Sequence, residues 1–295
     1  MPAPAAAATR RPSARPVDGA ALERVGDRLA AAAEPPWLHA EVARRMAQRL
    51  PVIRTQPDTV LDWWSRTGAS TELLRRTYPK ARLIEVDRRP RAAERSPWWK
   101  GWRSVAPGCA PEAVETGRAG LLWAGMMLHW TADPLAEIQR WQAALAVDGF
   151  LMFSTFGPGT LEGLRALYAK AGWPVPHAAF VDMHDLGDML LHAGFADPVM
   201  DQETLRLHWS GGDAMLREVR SLGGNVDPGR FAGLRTPRWR SRLVALLEAD
   251  GARPAMDFEV VYGHAFKAAP RPRAKASTEV SLQDMRSILG GQRKR

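Results

Sequence analysis

Asp62, Gly68 and Asp87 are the residues of this chain whose types and spacing best suit a chemical task. The first two fall in T-V-L-D-W-W-S-R-T-G-A-S (59–70), and Asp87 closes R-L-I-E-V-D (82–87). A short apolar strand ending in an acid, a glycine before a helix, and a second acid about 25 residues on outline a β-α-β corner that binds a nucleotide. In such a corner glycine lets backbone approach the ligand and the helix N-terminus faces it. The acid closing the second strand takes ribose hydroxyls, and Asp87 stands at that place; the competing readings are a solvated strand-end acid or a helix N-cap. The loop is altered, because Trp63, Trp64 and Arg66 occupy positions where small residues are expected. His129 is a further candidate: it follows the buried-type run A-G-L-L-W-A-G-M-M-L (119–128), at the strand end where a parallel sheet holds its ligand, with a structural histidine as the alternative.

Stepping outward, apolar periodicity predicts the elements that must position these residues. Helices are expected over 20–33 (Leu22, Val25, Leu29) and 37–50, the second with Trp37, Leu38, Val42, Met46 and Leu50 on one stripe. Both precede the first strand and either roof a site or pack as plain core. A strand at 59–62, a helix at 69–77 and a strand at 81–86 form the β-α-β unit. The segment 88–117 is irregular, with Trp98, Trp99 and Trp102 clustered as a stacking surface or a local mini-core. Asp133-Pro134 opens a helix to 146, Asp148-Gly149 turns into a strand at 150–155, and Thr160 is expected to cap a helix to 171. Shorter helices at 184–194 and 214–222 flank a strand within 196–209. A basic helix at 236–249 (Trp239, Leu243, Leu246 and Leu247 inward) and an edge-type strand at 258–268 complete the body. A short helix within 280–289 is expected in the tail.

Composition bounds the partners. At 295 residues, with 45% hydrophobic and 25% charged residues, one large globular domain is the default. No apolar run is long enough to span a bilayer, and the N-terminus has no secretory h-region, so the cytoplasm is the expected compartment. Cys109 is the only cysteine, which rules out an intrachain disulfide and a multi-cysteine metal site. The net charge of +9 divides into +2 for residues 1–20, +5 for 268–295, and about +2 for the body. The basicity lies in tails whose composition reads as disordered (1–19 and 269–295, around a domain at 20–268), which argues against a specific nucleic-acid role.

The run W-A-G-M-M-L-H-W-T-A-D-P-L-A-E-I-Q-R-W-Q-A-A-L-A-V-D-G-F-L-M-F-S-T-F-G-P-G-T-L-E-G-L-R (123–165) resembles the class I S-adenosylmethionine-dependent methyltransferases. Within them it is similar to the biotin-pathway branch that esterifies the free carboxyl of malonyl-acyl carrier protein. The likeness rests on L-H-W with D-P shortly after, on F-S-T-F-G-P-G-T-L (153–161), and on R-E-V-R-S-L-G-G-N (217–225), and it spans roughly 25–267. It implies an α/β, Rossmann-like sheet of seven strands flanked by helices, the last strand antiparallel, with a helical insertion at about 210–252 before it. It implies S-adenosylmethionine as cofactor, held by Asp62, Trp63, Trp64, Gly68, Asp87 and Gly125. The family's three loop glycines fall on Trp64, Arg66 and Gly68, so one survives. Its Gly-Asp pair after the third strand has no counterpart between 104 and 117; Gly120 replaces the Asp before the fourth strand, and Gly125 the Asn of its S-N motif.

The chemistry so implied asks little of side chains. A sulfonium is an activated methyl donor and a carboxylate is already a nucleophile, so alignment and desolvation suffice and no triad or metal is needed. A malonyl carboxylate calls for an arginine, for which Arg66, Arg220 and Arg235 are unranked candidates; His129 and Arg220 are the catalytic ones. An acidic carrier protein suits the basic helix face of Arg235, Arg238, Arg240 and Arg242, and the enzyme is expected to be a monomer. Three readings stand: an active methyltransferase with a remodelled loop, a non-catalytic relative kept for binding or regulation, and a methyltransferase for another acceptor.

Overall fold

The computed structural model describes residues 15–88, 108–249, 251 and 253–269. Its strands are β1 (Thr59–Trp63), β2 (Arg82–Val86), β3 (Ala119–Gly125), β4 (Leu145–Phe156), β5 (Ala196–His208) and β6 (Ala255–Phe266). They form one sheet in the order β2-β1-β3-β4-β6-β5. Pairing is parallel from β2 through β4, and β6 runs antiparallel to both its neighbours, as expected of the last strand. Among the described residues six strands stand where seven were expected. Beyond β2, where another strand would add, a single parallel bridge joins Val86 to Cys109.

Strand composition explains the order. β1, β3 and the second half of β4 are buried on nearly every residue, as suits parallel strands covered on both faces. β6 was expected at an edge but lies between β4 and β5; Val260, Val261 and Tyr262 are buried in succession, which an edge strand with one wet face does not allow. β5, alternating between half-buried and exposed residues, is the edge instead.

Helices cover both faces. On one, α1 (Gly19–Ala31), α5 (Pro134–Ala144) and α7 (Met183–His192) pack Leu22, Val25, Trp141 and Leu186 against Leu122, Leu151 and Phe153. On the other, α2 (Trp37–Ala47), α4 (Thr71–Thr77), α6 (Glu162–Lys170), α8 (Gly212–Ser221) and α9 (Pro237–Leu247) meet Leu121, Trp123 and Phe150. Two side chains depart from their expected stripes: Trp37, on the first turn of α2, is 46% exposed, and Leu246 of α9 is 38% exposed. Thr160 does not cap α6, since Leu161 takes that position with left-handed backbone. The Thr160 hydroxyl instead donates to the carbonyl of Glu259 and accepts from its N–H, tying the loop after β4 to β6. Trp98, Trp99, Trp102 and the helix expected within 280–289 lie outside the described residues. Among those described, no helix is long and apolar enough to cross a membrane.

Candidate functional site

The loop after β1 is a turn built around a strained tryptophan. Trp64 has φ of 58°, a left-handed conformation unfavourable for a bulky side chain, and its N–H donates to the Val86 carbonyl at 2.6 Å. That reversal starts α3 (Ser65–Gly68), a single helical turn. Its first residues close on Asp87: the Ser65 hydroxyl donates at 2.5 Å and the Arg66 backbone N–H at 3.4 Å. The Arg66 guanidinium donates to the Ala30 carbonyl of α1. Gly68 then crosses the end of β3, where a Cβ would lie 3.2 Å from the Gly125 carbonyl and 3.1 Å from Ser70 Oγ. The surviving loop glycine thus serves backbone-on-backbone packing.

Of the other three residues expected around the cofactor, Gly125 packs its backbone against Gly68, and Asp62 and Trp63 face elsewhere. Asp62 is fully buried behind the loop and accepts from the Ser70 hydroxyl at 2.6 Å and the Thr71 hydroxyl at 2.7 Å, so it anchors the start of α4. Burial raises its pKa to about 7, against the lowering effect of those two hydroxyls. Trp63 does not reach a ligand space. Its buried indole packs into the same core cluster as Trp64 and donates to Glu137 of α5 at 2.7 Å.

Two cavities open along the C-terminal edge of the parallel strands. The first, about 140 Å³, lies between α1 and the loops after β1 and β2, and is lined by Leu22, Gly26, Trp64, Arg66, Asp87 and Trp130. Burial raises the Asp87 carboxyl to about 6. The Arg88 guanidinium lies 5.8 Å from the Trp64 ring. Arg66 Nε and Trp130 Nε1 are buried donors without a hydrogen-bond partner among the described residues. An acid, a flat indole and two unpartnered donors are the complement of a ligand carrying ribose hydroxyls, an aromatic base and a carboxylate.

The second cavity, about 430 Å³, is lined by Arg15, His129, Trp130, Phe156, Tyr168 and Arg220 among others. Trp130 therefore walls both. Its indole sits where a Cβ on Gly223 would be, 2.1 Å away, and Gly223 has φ of 143°, so glycine is required at that turn. His129 is neutral, its pKa held well below the usual range by burial. Its Nδ1 is 3.2 Å from Thr155 Oγ1, and its Nε2 is buried without a partner among the described residues.

Arg15 is the residue that sequence reasoning missed. It was assigned to the N-terminal tail, yet its Nη1 donates to the carbonyls of His129 at 2.6 Å and Thr131 at 3.3 Å, and its Nη2 to that of Ala179. Burial pushes its pKa down to about 10, so it remains a cation at neutral pH. No local pattern marks it, because its partners are backbone atoms more than a hundred residues away. Of the three arginines proposed for an acceptor, Arg66 lines the smaller cavity and Arg220 the larger. Arg235 lines neither and is sandwiched between Phe231 and Trp239, 4.1 and 4.4 Å from their ring centres. Among the described residues no group of His, Cys, Asp and Glu could hold a metal.

A family model described as a methyltransferase domain matches residues 37–197. The malonyl-[acyl-carrier protein] O-methyltransferase of Laribacter hongkongensis is 38% identical over 268 residues, covering 85% of this chain and 88% of that one. The protein of the same name from Halorhodospira halophila is 37% identical over 256 residues, covering 83% and 86%. That from Gallionella capsiferriformans is 38% identical over 249 residues, covering 79% and 85%.

Proposed function

The chain belongs to the malonyl-[acyl-carrier protein] O-methyltransferase family, and from that premise we propose that it moves a methyl group from S-adenosylmethionine to the free carboxylate of a carrier-bound malonyl group, a step of biotin synthesis. The observation that carries the reading is the pair of cavities meeting at Trp130 on the C-terminal edge of the sheet. One has the polar complement of the donor, and the other has the size and arginine of an acceptor site.

The residues present fit the donor. Asp87 would take the ribose hydroxyls; although Ser65 and Arg66 already donate to it, a carboxylate has lone pairs for more. Trp64 would lie against the adenine, and the unpartnered Arg66 Nε and Trp130 Nε1 would meet the carboxylate. When bound, the donor supplies an electrophilic methyl group on a cationic sulfur. The cavity of about 140 Å³ is below the ~300 Å³ of ordinary small-ligand sites. We therefore assign α1, which forms its outer wall, the part that yields on binding.

The acceptor side needs a holder and a dry wall rather than a base. Arg15 makes three hydrogen bonds to carbonyls, leaving about two of its five N–H donors for a carboxylate. In the tautomer in which Thr155 donates to Nδ1, His129 carries its proton on Nε2 and offers a neutral donor. Neutrality matters, because a charged imidazole would oppose a cationic donor nearby. Phe156, Phe180, Leu164 and Phe258 supply apolar walls, which exclude water from a reaction whose opposite charges cancel as the ester forms.

The test is incubation with S-adenosylmethionine and malonyl-carrier protein, followed by intact-mass analysis. The reading expects one added methyl on the malonyl group and none on an acetyl-carrier protein, which lacks the free carboxylate. Methylation of neither, by a protein shown to bind the donor, would leave the fold with another acceptor.

A further inference from the structure

A third cavity, about 390 Å³, adjoins the acceptor cavity on its outer side and is lined by Arg28, Glu34, Pro35, Trp37, Arg217 and Arg220 among others. Arg28 and Arg220 line both, so they stand where one opens into the other. Arg28, from the last turn of α1, donates to the Gly223 carbonyl. Arg220, from the last turn of α8, is exposed, and Arg217 lies one turn before it. Neither the Arg217 nor the Arg220 guanidinium has a hydrogen-bonding or ion-pair partner among the described residues. Arg28 is disfavoured as a cation by its burial and by the charge of Arg220, so positive charge is concentrated at this rim. Glu34 is the one carboxylate among the described lining residues. Beside them stands Trp37, 46% exposed where helical patterning would bury it.

The basic face of α9 contrasts with this rim. There Arg240 pairs with Asp213 at 2.8 Å, Arg242 lies 5.6 Å from the Trp173 ring, and Arg235 is held between two aromatic rings. Arg238 alone of that set has no partner among the described residues. The charges of α9 are mostly spent within the fold, and those of the α1–α8 rim are not.

We propose that Arg28, Arg217, Arg220 and Trp37 form the docking surface for the acidic carrier protein, whose acyl arm passes between Arg28 and Arg220 into the acceptor cavity. The proposal rests on the methyltransferase reading for its partner, and on charge complementarity and continuity with the acceptor cavity for its place. An arm that carries a thioester at its tip and a phosphate at its base brings an anion to the rim when the tip lies within. Arginine and tryptophan are also the side chains that most often dominate protein interfaces.

The experiment is fluorescence anisotropy of a labelled holo-carrier protein titrated with the full chain, the melting temperature of each variant being followed alongside. The double variant R217E/R220E should weaken binding by at least about tenfold and flatten its salt dependence, while R238E/R242E on α9 should change it less than about threefold. Unchanged affinity in R217E/R220E, or a loss confined to the α9 pair, would overturn the proposal. Turnover separates this outcome from the underlying reading. If the wild type methylates malonyl-pantetheine, R217E/R220E should lose at least about tenfold more kcat/KM with the carrier substrate than with that phosphate-free one. If the wild type methylates neither but binds the carrier through these arginines, the docking surface stands and the methyltransferase reading falls.

Discussion

Replacing Trp64 by glycine sets two consequences of the remodelled loop against each other. Glycine restores the residue that the left-handed backbone at φ of 58° favours, a relief of roughly 1–2 kcal/mol. The same change removes an indole that is 8% exposed, and deleting a buried aromatic side chain costs about 3–5 kcal/mol. The net expectation is a protein less stable by about 1–4 kcal/mol, read as a lower urea midpoint with an unchanged slope. If Trp64 is the surface on which the adenine lies, its removal also costs roughly 1–3 kcal/mol of binding, which is about 5- to 150-fold in Kd. Titration calorimetry with S-adenosylhomocysteine reads that number on the folded variant. Tighter binding in W64G than in the wild type would refute the reasoning, because the indole would then be filling the nucleoside's space rather than walling it.

Other perturbations have equally definite outcomes. Asp62 ionises near 3.8 when unfolded and near 7 when folded. Between those values the folded state holds a proton the unfolded state lacks, so this group's contribution to stability falls as pH rises across the window. Asp62→Asn should therefore gain on the wild type steadily from about pH 4 to 7 in paired urea melts, and then level off. Trp63→Phe removes the 2.7 Å bond to buried Glu137 and should cost about 1–3 kcal/mol of stability while leaving the donor Kd within a factor of about two. Arg15→Gln should raise KM for the malonyl acceptor by about 10- to 150-fold, the worth of a hydrogen-bonded charge. Arg15→Lys should recover only part of that, because it keeps the charge but not the fork.

The sequence showed most plainly what depends on local pattern. Period-two and period-3.6 hydrophobicity placed the strands and helices within a few residues, and the acid-strand-acid spacing located the corner at Asp62 and Asp87. It was less legible wherever distant backbone decides. Arg15 sits in a Pro- and Arg-rich stretch that looks like tail, and only the carbonyls of His129, Thr131 and Ala179 make it part of a site. The adjacent tryptophans were not separable by pattern, because β1 ends at Trp63 and Trp64 leaves the strand with left-handed backbone, so alternation does not decide where its ring goes. The central place of β6 was available, in the unbroken V-V-Y run that a one-sided edge strand would interrupt. The one-turn helix α3 left no such trace, because S-R-T-G has neither periodicity nor a capping side chain.

Whether a loop carrying Trp64 and Arg66 still holds the methyl donor decides the function of this fold. Calorimetric titration of S-adenosylmethionine and of S-adenosylhomocysteine into the intact chain measures this directly. Saturable one-to-one heat is expected for both, weakened in Asp87→Ala and in Arg66→Ala. No heat from either ligand up to millimolar concentration, with the protein folded, would contradict that expectation.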